Sequence, residues 1–337
     1  MKAVVVKEPG GAEQLLFKDF LKPVPGKGEI LIKVKASAIN RTDIVSREGK
    51  SGYMANPILG IEVSGEVVET GEGANMQLGT RVMGLVNGGG YAQYALMPAD
   101  RAMKIPDNLS FEEAAAIPEV FLTAYQTLFW LGELTDQETV LIHAGGSGVG
   151  TAAIQLAKKL TKAKIITTAG SKEKLDFCHS LGADVCINYK EQSFDEEILK
   201  ATNNQGVDVI LDFIGASYWE KNLKSIKIDG RWVLIGILGG TVVEKVNLME
   251  LLLKRVQIKG TLLTPRSDEY KKELTEEFVK KAMPLFRKHE IKAMPLFRKH
   301  EIKAIVDHVF PFEEVQRVHE HMEANKNVGK IILQVNE

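Results

Sequence analysis

The stretch VLIHAGGSGVGTAAIQLAKKL, residues 140–160, decides the fold. It opens with an apolar run typical of a buried strand, and its second half repeats Ala, Ile and Leu at helical spacing. A glycine-rich turn, residues 145–150, lies between the two. A strand, a glycine turn and a helix in direct succession predict the first βαβ unit of a dinucleotide-binding sheet.

The same alternation continues downstream of this stretch. Apolar strands are predicted at KIITTA (164–169), DVCINY (184–189), VDVILDFIG (207–215), RWVLIGIL (231–238) and VQIKGTLL (256–263). Helices are predicted between them, at 148–160, 172–181, 193–201, 217–226 and 247–254. Six strands with intervening helices predict an α/β fold with a doubly wound, Rossmann-type parallel sheet.

The residues before this region have a different pattern. Short alternating stretches separated by Gly, Pro and Asn predict strands at 2–8, 29–39, 61–71, 80–86 and 91–97, which favours a partly closed β-barrel. Residues 110–132 predict one helix, opened by a capping box of Ser110 and Glu113. The tail predicts a helix from 268, a strand at 305–310, a helix at 312–324 and a strand at 330–335.

We expect the tail to fold back onto the N-terminal part. That gives a discontinuous catalytic domain, 1–120 with 265–337, and a dinucleotide-binding domain, 121–264. KAMPLFRKHEI occurs at 281–291 and again, letter for letter, at 292–302. Two identical copies indicate a recent duplication or an assembly artefact rather than a repeat architecture, and no function is assigned to them.

The composition excludes several classes of protein. The 337 residues carry a net charge of −1, so no broad field attracts nucleic acid or an anionic membrane, and nucleic-acid binding is not expected. No apolar run approaches the roughly 20 residues that span a bilayer. With only Cys178 and Cys186, a disulfide framework is not expected, and the cytoplasm is the predicted location.

The glycine turn predicts a phosphate-binding loop. Gly145 begins the turn, Ser147 replaces the middle glycine of the G-x-G-x-x-G pattern, and Gly148 and Val149 open the helix. There, backbone N–H groups and the helix N-terminus can bind a pyrophosphate. The alternative is a structural glycine turn without a ligand.

The end of the second strand predicts which nicotinamide cofactor binds. A NAD site has an acid about 20 residues after the glycine loop, whereas here Gly170 and Ser171 occupy that place, followed by Lys172 and Lys174. Hydroxyl and ammonium groups suit a 2′-phosphate, so NADPH is favoured. Glu173 is a complication, and the alternative is that the lysines form a solvated helix face.

Several further segments carry a resemblance to a known family. They include SAINRTD (37–43), PILGIEVSGEV (57–67), GGGYAQY (88–94), AAAIPEVFLTAYQTL (114–128), GASYWEKN (215–222) and MEANKNVGKI (322–331). With the glycine loop, they make the chain resemble the zinc-free quinone oxidoreductases of the medium-chain dehydrogenase/reductase superfamily, in particular the subfamily inducible by a tumour-suppressor transcription factor. The resemblance implies a GroES-like barrel domain, a cleft between two lobes and a homodimer.

The resemblance also implies residue roles. Asn40 and Thr123 approach the nicotinamide, Ser147, Gly148 and Val149 hold the pyrophosphate, and Gly170, Lys174 and Tyr189 surround the 2′-phosphate. The rest of the cofactor path is lined by Ile214, Leu238, Thr261, Leu263 and Asn327. Tyr53 corresponds to an active-site tyrosine that could protonate the product, although its loop is shorter than in the family, and the alternative is a surface tyrosine.

No metal is expected. Zinc alcohol dehydrogenases of the superfamily take a ligand from a Gly-His-Glu string, but here the string is Gly60-Ile61-Glu62. The two cysteines cannot form a four-cysteine structural zinc site. His319 and His321 face different ways on a helix, and His143 is predicted to be packed or hydrogen-bonded rather than a ligand.

The leading hypothesis is a zinc-independent NADPH:quinone oxidoreductase that acts on ortho-quinones or naphthoquinones. Whether it transfers a hydride or single electrons, which would generate semiquinone and reactive oxygen, is left open. One alternative is an NADPH-dependent alkenal or enone double-bond reductase. A second is a non-enzymatic RNA-binding role, which the near-zero charge disfavours.

Overall fold

The computed structural model describes residues 1–52, 56–286 and 302–335. They divide into two compact units, Met1–Leu122 with Leu263–Glu337 (unit 1) and Thr123–Leu262 (unit 2). Tyr53 and most of the exact repeat lie outside the described residues. Where the first copy of the repeat begins, a 3-10 turn at Met283–Phe286 follows a helix, and Phe286 is buried.

The described residues of the first part of unit 1 are mainly strands. These are β1 (Lys2–Val6), β2 (Leu15–Asp19), β3 (Glu29–Ala38), β4 (Glu62–Thr70), β5 (Arg81–Leu85), β6 (Tyr94–Pro98) and β7 (Met103–Lys104). The helices are α1 (Arg41–Arg47), α2 (Phe111–Ala115) and α3 (Pro118–Tyr125). Ser110 caps α2 with the predicted capping box.

The single helix predicted over 110–132 is wrong. Pro118 cannot donate a backbone hydrogen bond, so α2 ends at Ala115 and Pro118 begins α3, a first-turn position that proline tolerates. A π-helical segment, Gln126–Leu131, follows. The sequence pattern did not show the break because apolar residues continue at helical spacing across it.

Unit 2 is the predicted alternation of strands and helices. Its elements are β8 (Thr139–Ile142), α4 (Gly148–Leu160), β9 (Lys164–Ala169), α5 (Lys172–Leu181), β10 (Val185–Asn188), α6 (Phe194–Ala201), β11 (Val207–Asp212), α7 (Trp219–Ser225), β12 (Ile226–Leu234), α8 (Leu248–Lys254) and β13 (Gln257–Gly260). The sheet order is β10-β9-β8-β11-β12-β13, and each neighbouring pair is parallel.

This order confirms the doubly wound sheet. The chain starts in the middle at β8, moves outward to β10, then returns to β11 and moves the other way. Because the chain leaves β8 and β11 in opposite directions, the loops that follow these two strands diverge at the carboxyl edge of the sheet. Sheets of this kind bind ligands at that point. Several strand boundaries were wrong: β12 runs from Ile226 to Leu234 rather than over 231–238, and β11 and β13 end at Asp212 and Gly260, each three residues earlier than predicted.

The tail completes the sheet of unit 1. It contributes α9 (Asp268–Lys281), β14 (Val306–Pro311), α10 (Val315–Glu323) and β15 (Lys330–Gln334). The sheet order is β14-β15-β3-β4-β5-β7, with β6 also paired to β3. β6 pairs with residues 29–33 of β3 and β15 with residues 36–38, so the sheet branches along this strand. The apolar core of unit 1 includes Ile32, Val63 and Tyr91 from the N-terminal part and Val318 and Ile331 from the tail.

Candidate functional site

The loop between β8 and α4 has the geometry of a phosphate-binding turn. Ala144 has a positive φ of 49°, a conformation rarely adopted outside glycine, and its carbonyl accepts the amide of Ser147. Gly145 donates to Thr168 O of β9 at 2.9 Å. Ser147 caps α4, its Oγ accepting the Gly150 amide at 3.1 Å. The loop is therefore fixed by a hydrogen bond to β9 at its start and by the cap of α4 at its end.

Two glycines are required by close approaches. A Cβ on Gly145 would lie 2.1 Å from Thr167 Oγ1, and one on Gly150 would lie 2.3 Å from the carbonyl oxygen of Ala144. The amides of Gly148 and Val149 belong to the first turn of α4, where a helix offers no carbonyl acceptor. Together with the helix dipole, these amides make the turn suited to an anion.

A second group of predicted residues meets at the end of β9. A Cβ on Gly170 would lie 2.7 Å from Tyr189 Oη and 3.0 Å from Lys190 Cε, so both side chains pass directly over this glycine. Lys174 lies across the glycine loop, since a Cβ on Gly146 would be 3.1 Å from its Cδ. The structure thus brings Tyr189 and Lys190 together over Gly170 and places Lys174 against Gly146 of the loop.

Lys190 was missed by the sequence analysis. The sequence pattern predicts a cofactor-selecting residue after the second strand of the sheet, β9, whereas Lys190 follows the third, β10. Parallel strands end at one edge of a sheet, so the residue after β10 reaches the same place. A lysine directly following the predicted Tyr189 was the available signal.

Ser171 and Glu173 are tied to the start of α5. Ser171 caps the helix, its Oγ accepting the Lys174 amide at 3.4 Å. A hydrogen bond from its own backbone amide, and another from the Ser171 hydroxyl, lower the pKa of the exposed Glu173 carboxyl. This group therefore places a negative charge among residues that otherwise suit a 2′-phosphate.

His143 lies beneath the loops, hydrogen-bonded as predicted. Its Nδ1 lies 2.9 Å from Thr168 Oγ1 and its Nε2 lies 2.8 Å from Asn222 Oδ1. Asn222 donates in turn to Asp212 Oδ2 at 3.1 Å, and Asp212 Oδ1 accepts the amides of residues 214 and 215. Burial lowers the pKa of His143. The network joins the carboxyl ends of three adjacent strands.

The remaining predicted residues of unit 2 gather at the ends of β11, β12 and β13. Leu238 N donates to Phe213 O at 3.2 Å, which places Leu238 beside the loop of Ile214. Thr261 N donates to Leu234 O at 3.0 Å. Thr123 is buried, and its carbonyl accepts the Thr127 hydroxyl.

Asn40 lies in a buried polar cluster of unit 1. The predicted Leu263 and Asn327 also belong to unit 1. Asn40 Nδ2 donates to Glu62 Oε1 at 2.9 Å, and its Oδ1 accepts Lys330 Nζ at 2.7 Å. Leu263 is buried, and Asn327 Nδ2 donates to Gly329 O at 2.8 Å.

The cluster extends from Asn40 through Asp43. Asp43 Oδ2 accepts the Asn40 amide at 2.8 Å and the Tyr91 hydroxyl at 3.1 Å. Tyr91 Oη lies 3.3 Å from His319 Nε2, and Arg47 Nη1 lies 3.3 Å from His319 Nδ1. Burial raises the pKa of Asp43 to about 6, while burial and then Arg47 lower the pKa of His319 to about 3.

The residues around Glu62 do not fit a catalytic zinc. Ile61 has no ligand atom, and the Glu62 carboxylate is already occupied by Asn40, Lys330 and the Glu119 amide. Across the described ranges, no group of three or more His, Cys, Asp or Glu side chains could hold a metal ion. In the same ranges, no helix is long and apolar enough to cross a bilayer.

Comparisons with known proteins agree with this arrangement. Residues 26–107 match the alcohol dehydrogenase GroES-like domain, and residues 148–280 match the zinc-binding dehydrogenase family. The mouse synaptic vesicle membrane protein VAT-1 homolog-like is 31% identical over 99% of this chain and 81% of its own length.

Two solved structures extend the comparison. The quinone oxidoreductase of Escherichia coli complexed with NADPH superposes with a TM-score of 0.85 at 30% identity, covering 99% of this chain and 100% of that one. CurK enoyl reductase superposes with a TM-score of 0.85 at 28% identity, covering 99% of each chain. The chain belongs to the medium-chain dehydrogenase/reductase superfamily, as a quinone oxidoreductase-like oxidoreductase with a GroES-like domain and a Rossmann-type domain.

Proposed function

We propose that the protein is a zinc-independent, NADPH-dependent reductase of quinones of the ortho-quinone or naphthoquinone type. The overall reaction is NADPH + H⁺ + quinone → NADP⁺ + hydroquinone. NADPH, when bound, supplies the hydride, and the single proton of the reaction comes from solvent or a nearby donor. Quinone carbonyls are already electrophilic, so a Lewis acid is not needed to polarise them.

Unit 2 is assigned as the cofactor-binding domain. The amides of Ser147, Gly148 and Val149 would bind the pyrophosphate at the start of α4. Gly145 lets the loop approach the cofactor. The residues around the adenosine 2′-phosphate would be Gly170, Ser171, Lys174, Tyr189 and Lys190.

The single observation that carries the cofactor assignment is the cluster over Gly170. Tyr189 Oη and Lys190 meet there, and Lys174 lies across the adjoining loop. Two ammonium groups and the Tyr189 hydroxyl favour a phosphate dianion through charge-assisted hydrogen bonds. A carboxylate that would bind a ribose 2′-hydroxyl is absent from the position of Gly170, and Glu173 is turned toward the helix start.

Unit 1, Met1–Leu122 with Leu263–Glu337, is assigned as the catalytic domain. Asn40 would face the nicotinamide, with Thr123, Ile214, Leu238, Thr261, Leu263 and Asn327 along the cofactor path. These residues would orient the reactants and exclude water, which is the main contribution a protein makes when the cofactor carries the chemistry. Tyr53 as proton donor and a cytoplasmic location stay predictions.

The proposal is tested by fluorescence titration with NADPH and NADH, followed by steady-state assays. We expect tighter binding of NADPH, and NADPH oxidation that depends on 1,2-naphthoquinone. Equal affinity for the two cofactors would contradict the 2′-phosphate assignment. Binding of NADPH without turnover of any quinone would contradict the substrate class.

A second candidate activity is reduction of an enone or alkenal double bond. The likeness to an enoyl reductase favours it, because that reaction uses the same cofactor domain and needs no metal. Parallel assays with 1,2-naphthoquinone and an α,β-unsaturated aldehyde separate the two. A kcat/KM at least about tenfold higher for the aldehyde would replace the quinone assignment.

We also propose that the protein is a homodimer, formed through unit 2. Helix α8 has no buried residue, and its Leu248, Met249, Leu252 and Leu253 are each more than half exposed; the strand that follows it in sequence, β13, is an edge of the sheet. Large exposed apolar patches beside a strand edge are typical of association sites. Light scattering on a Leu252→Glu variant should give the monomer mass, whereas a monomeric wild type would overturn this assignment.

A further inference from the structure

Lys330 is a buried lysine in unit 1 that the sequence analysis did not single out. It begins β15, is 4% exposed, and its ammonium has three acceptors, one for each N–H. They are Ile39 O, Asn40 Oδ1 and Glu62 Oε1, each at 2.7 Å. A buried charge is tolerated only when it is paired and fully hydrogen-bonded, and here both conditions hold.

These contacts decide how the Asn40 amide is oriented. Its oxygen faces the Lys330 ammonium, and its nitrogen faces the Glu62 carboxylate at 2.9 Å. The reversed amide would place N–H groups against an ammonium and a carbonyl oxygen against a carboxylate, and both contacts are repulsive. Glu62 is held in its turn, because Oε2 accepts the Glu119 amide at 2.8 Å. Only one orientation of the Asn40 amide forms hydrogen bonds with both the Lys330 ammonium and the Glu62 carboxylate.

We infer that Lys330, together with Glu62, is a positioning residue that fixes the amide of Asn40 in one orientation. The importance of that amide for turnover rests on the proposed function, which places Asn40 at the nicotinamide. The orientation itself does not depend on it.

A purely structural role for Lys330 is the competing explanation, because the same ammonium ties β15 to Ile39 at the end of β3. The two explanations differ in what happens to Asn40 when the lysine is replaced. A structural lysine stabilises the fold whether or not residue 40 carries an amide. A positioning lysine acts through that amide.

The first test uses NMR on the cofactor-free protein with ¹⁵N-labelled asparagine side chains. The Asn40 amide pair is identified by its absence in Asn40→Ala. We expect Lys330→Met, which keeps the length but removes charge and donors, to shift and broaden this pair as the amide becomes free to flip. The control is Lys326→Met, an exposed lysine four residues earlier, which should leave the pair unchanged. An unaltered Asn40 signal in Lys330→Met would overturn the inference.

The second test is a double-mutant cycle on kcat with NADPH and 1,2-naphthoquinone. We expect Lys330→Met to lower kcat about tenfold and to change the KM for NADPH by less than about twofold. In the Asn40→Ala background the same substitution should have no further effect on kcat. An equal loss in both backgrounds would show a structural role and overturn the inference.

Folding and function are controlled separately. Lys330→Met leaves a buried carboxylate unpaired, so a variant that does not fold is replaced by Glu62→Gln/Lys330→Met, which removes both charges and should free the Asn40 amide in the same way. A wild type that never oxidises NADPH would refute the proposed function, while the NMR signals would still decide the orientation of Asn40.

Discussion

The glycine loop of unit 2 and the Asn40 cluster of unit 1 are both polar sites, but they are assembled differently. The loop is built from neighbours in sequence, and its anchor, Thr168, lies one βα unit away. In the cluster, Asn40 and Lys330 are 290 residues apart, and Arg47 and His319 are 272 apart. A local site is visible in the sequence, whereas a long-range site becomes visible only in the folded chain.

The two sites also differ in how a substitution changes the free energy of binding or folding. The loop depends on glycine positions, Gly145 and Gly150, at which a Cβ would clash with neighbouring atoms. The cluster instead consists of ionisable side chains that satisfy one another, so removal of one leaves its partners buried and unpaired. Substitutions should therefore affect cofactor binding at the first site and stability or pH dependence at the second.

Gly150→Ala should have the largest effect on cofactor binding. Its Cβ would lie 2.3 Å from the Ala144 carbonyl, so the loop must shift, at a cost of about 1–3 kcal/mol. If that cost falls on the bound conformation, the Kd for NADPH rises by about tenfold to a hundredfold. Fluorescence titration measures it. Gly260→Ala is the control, since a Cβ there meets nothing within 4 Å. Equal Kd values for the two variants would show that the turn is not the binding loop.

His319→Gln tests the long-range cluster through the pH dependence of stability. The folded pKa of His319, about 3, lies below its value of about 6.5 in the unfolded chain, so between these values the unfolded chain binds the extra proton. His319 therefore makes the free energy of unfolding rise as pH increases through this window and fall as pH decreases. Asp43 acts in the opposite sense from about pH 4 to 6, because its pKa is raised to about 6 on folding.

The two groups offset each other in the wild type, and the substitution removes one of them. The free energy of unfolding of wild type minus that of His319→Gln should rise by roughly 1 kcal/mol per pH unit between pH 4.5 and 6. Urea unfolding at several pH values measures this slope. A flat difference for His319→Gln would mean that the ring is not held neutral in the cluster.

Most of the fold and about half of the candidate site follow from the sequence, for reasons that the same contrast explains. Alternating apolar strands and helices predicted the six strands of the sheet of unit 2 and the five helices between them, because the signal is local and repeated. The helix break at Pro118 and the early start of β12 were missed, since apolar periodicity continues through both. Gly170, Lys174 and Tyr189 were predicted as neighbours from the sequence, and their roles stay predictions. Lys190 and Lys330 were not, because their neighbours are set by sheet order rather than by spacing in the chain.

Lys174→Ala should raise the Kd for NADPH by about tenfold and leave the Kd for NADH nearly unchanged. The reason is that its side chain reaches across Gly146 toward the group at Gly170, where only NADPH carries a phosphate. Lys172→Ala is a matched control two residues away, since Lys172 is exposed and paired with Asp176 at 2.6 Å. Parallel titrations with both cofactors decide the matter. Equal losses for NADPH and NADH would assign Lys174 to the helix surface.

Glu173→Gln should have the smallest effect, and in the opposite direction. The carboxylate adds a negative charge near the proposed 2′-phosphate site, but it is exposed, so solvent and salt screen most of its repulsion. Gln keeps an acceptor for the amide and the Ser171 hydroxyl, so the start of α5 should be preserved. The Kd for NADPH should fall by about twofold at low ionic strength, and the gain should vanish in about 0.5 M salt. A gain that persists in salt, or one that is equal for NADH, would show that the substitution acts on the helix rather than on a phosphate, and the adenosine end would have to be placed elsewhere.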